Sequence, residues 1–248
     1  MTEHITSRKN PLIQQVRKLL SSRKERLAAG LFVSDGTKLL AEAVRWWPGL
    51  QTVICTQDVN IQLPQQVQKV TVPKDIMEYI SPMQAPQGAL FICRLPEEKP
   101  LEVRAGMLIL DGIQDPGNLG TILRTADALS VPVVLLEGCA DPYSHKVVRS
   151  SMGAVLRCVP GVSTWEQVKT LCQKKNIPVA VTALSDEAKD IRDASLNNMA
   201  VVIGSEGQGV RPEIMDYAKV KLIIPMNENC ESLNAAIAAA IAMWEMKK

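Results

Sequence analysis

Three polar stretches carry the side chains with chemistry to offer. The first is DGIQDPGNLGTILRTADAL, Asp111 to Leu129, in which glycines and a proline shape a tight turn into a helix. Backbone N–H groups at such a helix start suit a phosphate or a carboxylate, and a turn closed by an N-cap is the other reading. Asn118 and Arg124 stand six residues apart along it. The second stretch is VVIGSEGQGVRPE, Val201 to Glu213, where Gly204, Gly207 and Gly209 leave the backbone open to close approach. Glu206 sits in the middle of that run, which a purely structural turn also explains. The third is IIPMNENCESLNAAIAAAIAMWE, Ile223 to Glu245, a polar knuckle between a strand-like run and an alanine-rich helix. On a purely structural reading Ser232 caps the helix that follows, with Asn234 then facing inward in the first turn.

These stretches need a frame that brings them together. Each follows an apolar run of strand character, and open α/β sheets bind ligands just beyond the carboxyl ends of their strands. From residue 107 onward the strand-like runs MLIL, VPVVLLEG, IPVAVTAL, MAVVIGS and VKLIIPM alternate with helical segments. Their near-continuous apolar character predicts a parallel sheet covered on both faces. The first half alternates as well, with strands at LFVSDG, QTVICT, KVTV and GALFICR, and helices at TKLLAEAVRWW and KDIMEYIS. NPLIQQVRKLLSSRKERLAAG carries helical signals, with Asn10 as N-cap, Pro11 in the first turn and Gly30 as the stop. The Pro- and charge-rich LPEEKPLEVRAG divides two α/β domains, residues 1–97 and 106–248, with a linker over 98–105.

The 248 residues suffice for two domains. No run approaches a membrane span, and no apolar signal core opens the chain, so a cytoplasmic protein without membrane attachment is expected. Six scattered cysteines without a C-x-x-C pair read as free thiols, and no metal site is expected. The net charge of +2 is uneven: residues 1–30 carry seven basic and two acidic side chains. A basic arm of Arg8, Lys9, Arg17, Lys18, Arg23, Lys24 and Arg26 suits a polyanion, or forms a solvated helix face. Neither G-x-G-x-x-G nor G-x-x-x-x-G-K-[ST] is present, which counts against a nucleotide-dependent dehydrogenase. The final helix is apolar nearly all round, so it is buried within one chain or against a second copy.

Taken in order, LDGIQDPGNLGTILRTADAL, VVIGSEGQGV and IIPMNENCESLNAAIAAAI resemble the three motifs of the SpoU (TrmH-like) RNA ribose 2′-O-methyltransferases. DPYSHKVVRSSMGAVLR is similar to the family's connecting segment. ITSRKNPLIQQVRKLLSSRKERLAAGLFVSDGTKLLAEA resembles the RNA substrate-binding domain found ahead of many members. The likeness covers most of the chain.

The resemblance implies a SPOUT domain with a mostly parallel sheet and a trefoil knot, preceded by a small ribosomal-protein-like α/β domain. It implies a homodimer formed through the C-terminal domain and S-adenosylmethionine as cofactor. By motif position the cofactor falls to Gly204, Ile224 and Leu233, with Ser232 and Thr182 beside them. Arg124, Asn118, Glu206 and Asn234 match the catalytic positions. Glu228 departs from the family, which usually carries glycine there. The implied substrate is structured RNA, 23S rRNA ahead of tRNA. A non-catalytic RNA-binding dimer of the same fold is the rival. A free guanidinium stays protonated, so Arg124 is expected to stabilise a developing alkoxide rather than to take its proton.

Overall fold

The computed structural model describes residues 3–56, 62–185, 187–205, 207–227, 229–230 and 232–248. In chain order the elements are β1 (Glu3–His4), α1 (Pro11–Ser21), α2 (Arg23–Ala29), β2 (Leu31–Asp35), α3 (Thr37–Trp46), β3 (Leu50–Cys55), β4 (Gln68–Thr71), α4 (Lys74–Ile80) and β5 (Ala89–Arg94). There follow β6 (Met107–Asp111), α5 (Pro116–Ala128), β7 (Val133–Leu135), α6 (His145–Ser150), β8 (Gly161–Val162), α7 (Trp165–Lys174), β9 (Val179–Thr182), β10 (Lys189–Asp190), β11 (Ala200–Gly204), α8 (Pro212–Tyr217), β12 (Val220–Ile223) and α9 (Ala235–Glu245). Among the described residues no helix is long and apolar enough to cross a membrane.

Two compact units result. The first joins residues up to Glu98 with Tyr143–Arg157, and the second joins Lys99–Pro142 with Cys158–Lys248. In the first, a five-stranded sheet runs β1-β4-β3-β5-β2, parallel from β1 to β3 and antiparallel at β5 and β2. Ile13, Val16 and Leu19 of α1 and Ile76, Met77 and Ile80 of α4 pack in its core. Tyr143–Arg157, which the sequence pattern assigns to 106–248, packs here for local reasons. The Tyr143 ring lies 5.3 Å from that of Phe32, and Arg149 pairs with the buried Asp35 at 3.1 Å.

The predicted helix over residues 10–30 is two helices. Ser22 adopts extended backbone, closes α1 and caps α2 by accepting from the Glu25 N–H. Ser22 and Glu25 have the S-x-x-E spacing of a capping box, a start signal inside the basic run. Asn10 caps α1 through the Leu12 N–H, and Gly30 ends α2 in the left-handed region at φ 65°. Glycine carries no Cβ penalty at that position.

The second unit holds the expected parallel sheet, ordered β10-β12-β9-β11-β6-β7-β8 with every neighbouring pair parallel. All five residues of β6 and all five of β11 are buried, as two covered faces require. Parallel pairing brings all carboxyl ends to one edge. The register sets Gly204 opposite Asp111, and Leu222 opposite Thr182.

Candidate active site

That edge holds the site. A cavity of about 480 Å³ opens where β9, β11 and β12 end, a size within the range of small-molecule pockets. Thr182, Gly204, Ile224, Ser232 and Leu233, the five residues assigned to the cofactor by motif position, all line it. Apolar Leu184, Met215 and Met226 line it too, alongside the glycine-rich stretch containing Gly207 and Gly209.

The glycine run folds back on itself. Ser205 and Gly209 exchange backbone hydrogen bonds at 3.1 and 2.9 Å. A Cβ on Gly204 would stand 2.1 Å from the Gly209 carbonyl carbon and 2.3 Å from the Val210 nitrogen. Glycine is therefore a steric requirement at 204. The result is a cradle built of backbone groups and apolar side chains, which fits a ligand with both polar and apolar parts. Glu206 and Glu228 lie outside the described residues.

The first and third stretches meet through two asparagines. Asn234, not Ser232, caps α9, accepting from the Ala236 and Ile237 N–H groups at 2.9 and 3.4 Å. The purely structural reading, a Ser232 cap with Asn234 inside the first turn, is thus set aside, and Ser232 lines the cavity. The same Asn234 amide also donates, from its Nδ2 to Asn118 Oδ1 at 2.9 Å. An amide can accept at the helix start and donate elsewhere at once.

Asn118 is the third residue of α5. Of the two readings of this helix start the capped turn is the one found, since Asp115 accepts from the Asn118 N–H at 2.8 Å. A Cβ at Gly117 would press to 2.9 Å from that carboxylate. Arg124 lies six residues further, roughly 9 Å along the axis. It is exposed, and its side chain makes no hydrogen bond or ion pair among the described residues. Arg124 does not line the cavity.

A clasp that sequence reasoning missed holds the glycine run. Arg211 donates its backbone N–H to Asp111 Oδ2 at 2.9 Å and its Nε to Asp111 Oδ1 at 2.8 Å. Asp111 is almost wholly buried, and both its oxygens are used. Since Asp111 is also the strand partner of Gly204, one residue anchors both ends of the run. Arg211 pairs further with Glu137 and Glu213. Burial lowers the Arg211 pKa and the neighbouring carboxylates raise it, with a net rise. The available signal was a carboxylate ending an otherwise apolar strand.

In the first unit, Arg8, Lys9, Arg17, Lys18, Arg23 and Lys24 are exposed. Arg26 is a correction: it is buried, and its Nη1 donates to the Leu19 carbonyl at 2.6 Å. It satisfies the carboxyl end of α1, where a cation also complements the helix dipole. It is not a surface phosphate contact.

Known proteins resemble the whole arrangement. The model of the SpoU rRNA methylase family matches residues 106–244, and that of an MRM3-like substrate-binding domain matches residues 10–90. The 23S rRNA (guanosine(2553)-2′-O)-methyltransferase RlmP of Bacillus subtilis strain 168 is 30% identical, aligned over 99% of both chains. A solved structure from Porphyromonas gingivalis, assigned to the TrmH family of RNA methyltransferases, is 33% identical. It covers 94% of this chain and 96% of its own with a TM-score of 0.85. An AdoMet-bound rRNA methyltransferase from Sinorhizobium meliloti is 25% identical, covers 99% of this chain and 97% of its own, and has a TM-score of 0.86.

These matches, over a chain with a parallel C-terminal sheet and a backbone-built cradle at its strand ends, define the RNA methyltransferase class. The chain belongs to the SpoU rRNA methylase family. The resemblance read from the three polar stretches is met, as is the expected α/β fold with its mostly parallel sheet.

Proposed function

We propose that the protein is an S-adenosylmethionine-dependent RNA ribose 2′-O-methyltransferase whose substrate is 23S rRNA. The observation that carries this is the gathering of Thr182, Gly204, Ile224, Ser232 and Leu233 around one cavity, beside the bonded pair Asn118 and Asn234. A relative alike over its whole length and named as a 23S rRNA 2′-O-methyltransferase supports the choice of RNA.

When bound, S-adenosylmethionine supplies an electrophilic methyl group. The chain's own residues do the rest. Gly204, Ile224 and Leu233 hold the cofactor by backbone and apolar contact, with Thr182 and Ser232 beside them. Asn118 and Asn234 fix the loops around the acceptor. Arg124 steers a phosphate and stabilises the developing alkoxide of the 2′-oxygen with its guanidinium fork, while a second protein or RNA group takes the hydroxyl proton. Glu206 orients the ribose or Arg124. Alignment of the attacking oxygen is a large share of such a rate.

The assembly is a homodimer of the C-terminal domain with its last helix threaded as a trefoil knot, and it works in the cytoplasm. An apolar face of α9 supports the dimer: Ile237 and Trp244 are 52% and 62% exposed and lie seven residues apart, on the same side as Ile241. Light scattering at micromolar concentration should return twice the 27.2 kDa chain mass, and a monomer would refute the dimer.

The deciding experiment is methyl transfer from labelled S-adenosylmethionine to separated rRNAs and tRNA from cells lacking the protein, followed by alkaline hydrolysis. Label in an alkali-resistant dinucleotide from 23S rRNA is the expected result. Label from tRNA alone would move the substrate, and no label with no cofactor binding would leave a non-catalytic RNA-binding dimer. Arg124→Lys keeps the charge and loses the fork, so near-normal turnover in that variant would refute a specific guanidinium role.

A further inference from the structure

Two arginines share one tyrosine ring on the first unit. The Arg17 guanidinium carbon lies 4.4 Å from the centroid of the Tyr79 ring, and that of Arg8 lies 4.8 Å from it. Arg17 Nη1 also donates to the Tyr79 hydroxyl. Arg17 comes from the solvent side of α1, whose opposite face buries Ile13, Val16 and Leu19. Arg8 precedes α1, and Gln14 Nε2 donates to the Arg8 carbonyl at 2.6 Å, folding that segment against the helix. Tyr79 comes from α4. Three parts of the chain thus converge to bring two like charges together.

Such an arrangement does little for the protein alone. Each cation gains from the face of the ring, but the two repel. Asp75 lies 3.8 Å from Arg8 with both side chains more than half exposed, a contact that solvent screens. What the geometry gains is order. A guanidinium laid on an aromatic ring has lost much of its rotamer freedom before any ligand arrives, and the Arg17 N–H groups other than the Nη1 donor to Tyr79 remain for an anion. Phosphate oxygens are the matching partner. With guanidinium groups against the ring, Tyr79 serves as a platform for cations rather than for a base.

We propose that Arg8, Arg17 and Tyr79 form a phosphate clamp that grips the RNA backbone on the α1–α4 face. The clamp rests on the reading of the substrate as RNA. It goes beyond that reading by choosing one face of the basic arm and adding a residue that carries no charge. Tyr79 is a positioning residue; Arg8 and Arg17 touch the phosphates.

The test is filter binding of the full-length protein to in vitro transcribed 23S rRNA across a salt series. Replacing both arginines (Arg8→Gln with Arg17→Gln) removes two phosphate contacts, so the slope of log affinity against log salt should shrink by about 1.4 to 1.8. Tyr79→Ala keeps both charges but loses the platform, so affinity should fall about 5- to 10-fold with a nearly unchanged slope. Tyr79→Phe keeps the ring and should stay within about twofold of the parent. Lys174→Gln, at the exposed end of α7, controls for bulk charge. Thermal melting of each variant separates lost binding from lost folding, and the double arginine variant decides the matter if Tyr79→Ala melts early. Parent-like binding and slope in the double variant overturn the clamp while leaving the RNA reading intact. An equal loss in Lys174→Gln also overturns it. Absence of saturable RNA binding by the parent overturns both.

Discussion

Asn234 Nδ2 donates to Asn118 Oδ1 at 2.9 Å across 116 residues of sequence, while Asn234 Oδ1 caps α9. The two halves of one amide can be separated by mutation. Serine caps a helix about as well as asparagine but lacks the reach and the amide donor. Asn234→Ser should therefore keep nearly the parent's stability and lose methyl transfer by about 10²-fold, the scale on which small misplacements act. Asn234→Ala should lose about 1 kcal/mol of stability as well. Urea denaturation read beside turnover distinguishes the two, and full activity in the serine variant would remove the bond from the mechanism.

Arg211→Ala leaves the buried Asp111 carboxylate with the residue-211 backbone N–H as its remaining partner in the clasp. Stranding a charge this way should cost about 2–3 kcal/mol, less than a fully buried pair because the Arg211 side chain is partly exposed. The glycine run should loosen with it, so cofactor affinity measured by calorimetry should fall. Unchanged affinity beside a lowered melting temperature would make the clasp purely structural.

Gly204 and Gly207 give a matched pair. A methyl group at 204 collides with backbone at 2.1 Å, whereas at 207 it meets nothing within 4 Å. Backbone cannot step aside like the end of a side chain. Gly204→Ala should weaken cofactor binding by more than about 100-fold, and Gly207→Ala should stay within about threefold. Equal effects of the two would contradict the cradle geometry.

His145 gives the first unit a pH dependence. Burial lowers its pKa from the ordinary 6.5. Asp35 raises it, and Lys146, Arg26 and Arg149 lower it further. The unfolded chain therefore binds a proton at a pH where the folded chain does not. Stability from this residue is full above about pH 6.5 and falls as pH drops from there through the depressed folded value. Melting temperatures between about pH 5 and 6.5 should fall less steeply for His145→Gln than for the parent. Parallel curves would show that the histidine does not contribute.

Legibility followed the range of each physical signal. The Asn10 cap and the Gly30 stop each act on backbone a few residues away, and both stand where the sequence predicts them. The fully buried strands β6 and β11 announce themselves as unbroken apolar runs. The Ser22 break has a signal just as local, the S-x-x-E spacing of Ser22 and Glu25, which the single predicted helix over residues 10–30 passes over. Arg26 has the same charge as its exposed neighbours, and only the packing of α2 against α1 turns it inward to the Leu19 carbonyl.

The sequence by itself determined most of the longer elements, the glycine at 204, the basic arm apart from Arg26 and, through three motifs in order, the family. The tertiary structure decided which of these meet. The strand order β12-β9-β11-β6 sets Thr182, Gly204 and Asp111 along one edge, and Arg211 returns to Asp111 across 100 residues. It also decided that Asn234 rather than Ser232 caps the last helix, because only the asparagine has a second partner waiting on α5. Helix caps and strand runs are set by hydrogen bonds and periodicities within a few residues. The choice of distant partners depends on which strands lie side by side, and no local pattern carries that information.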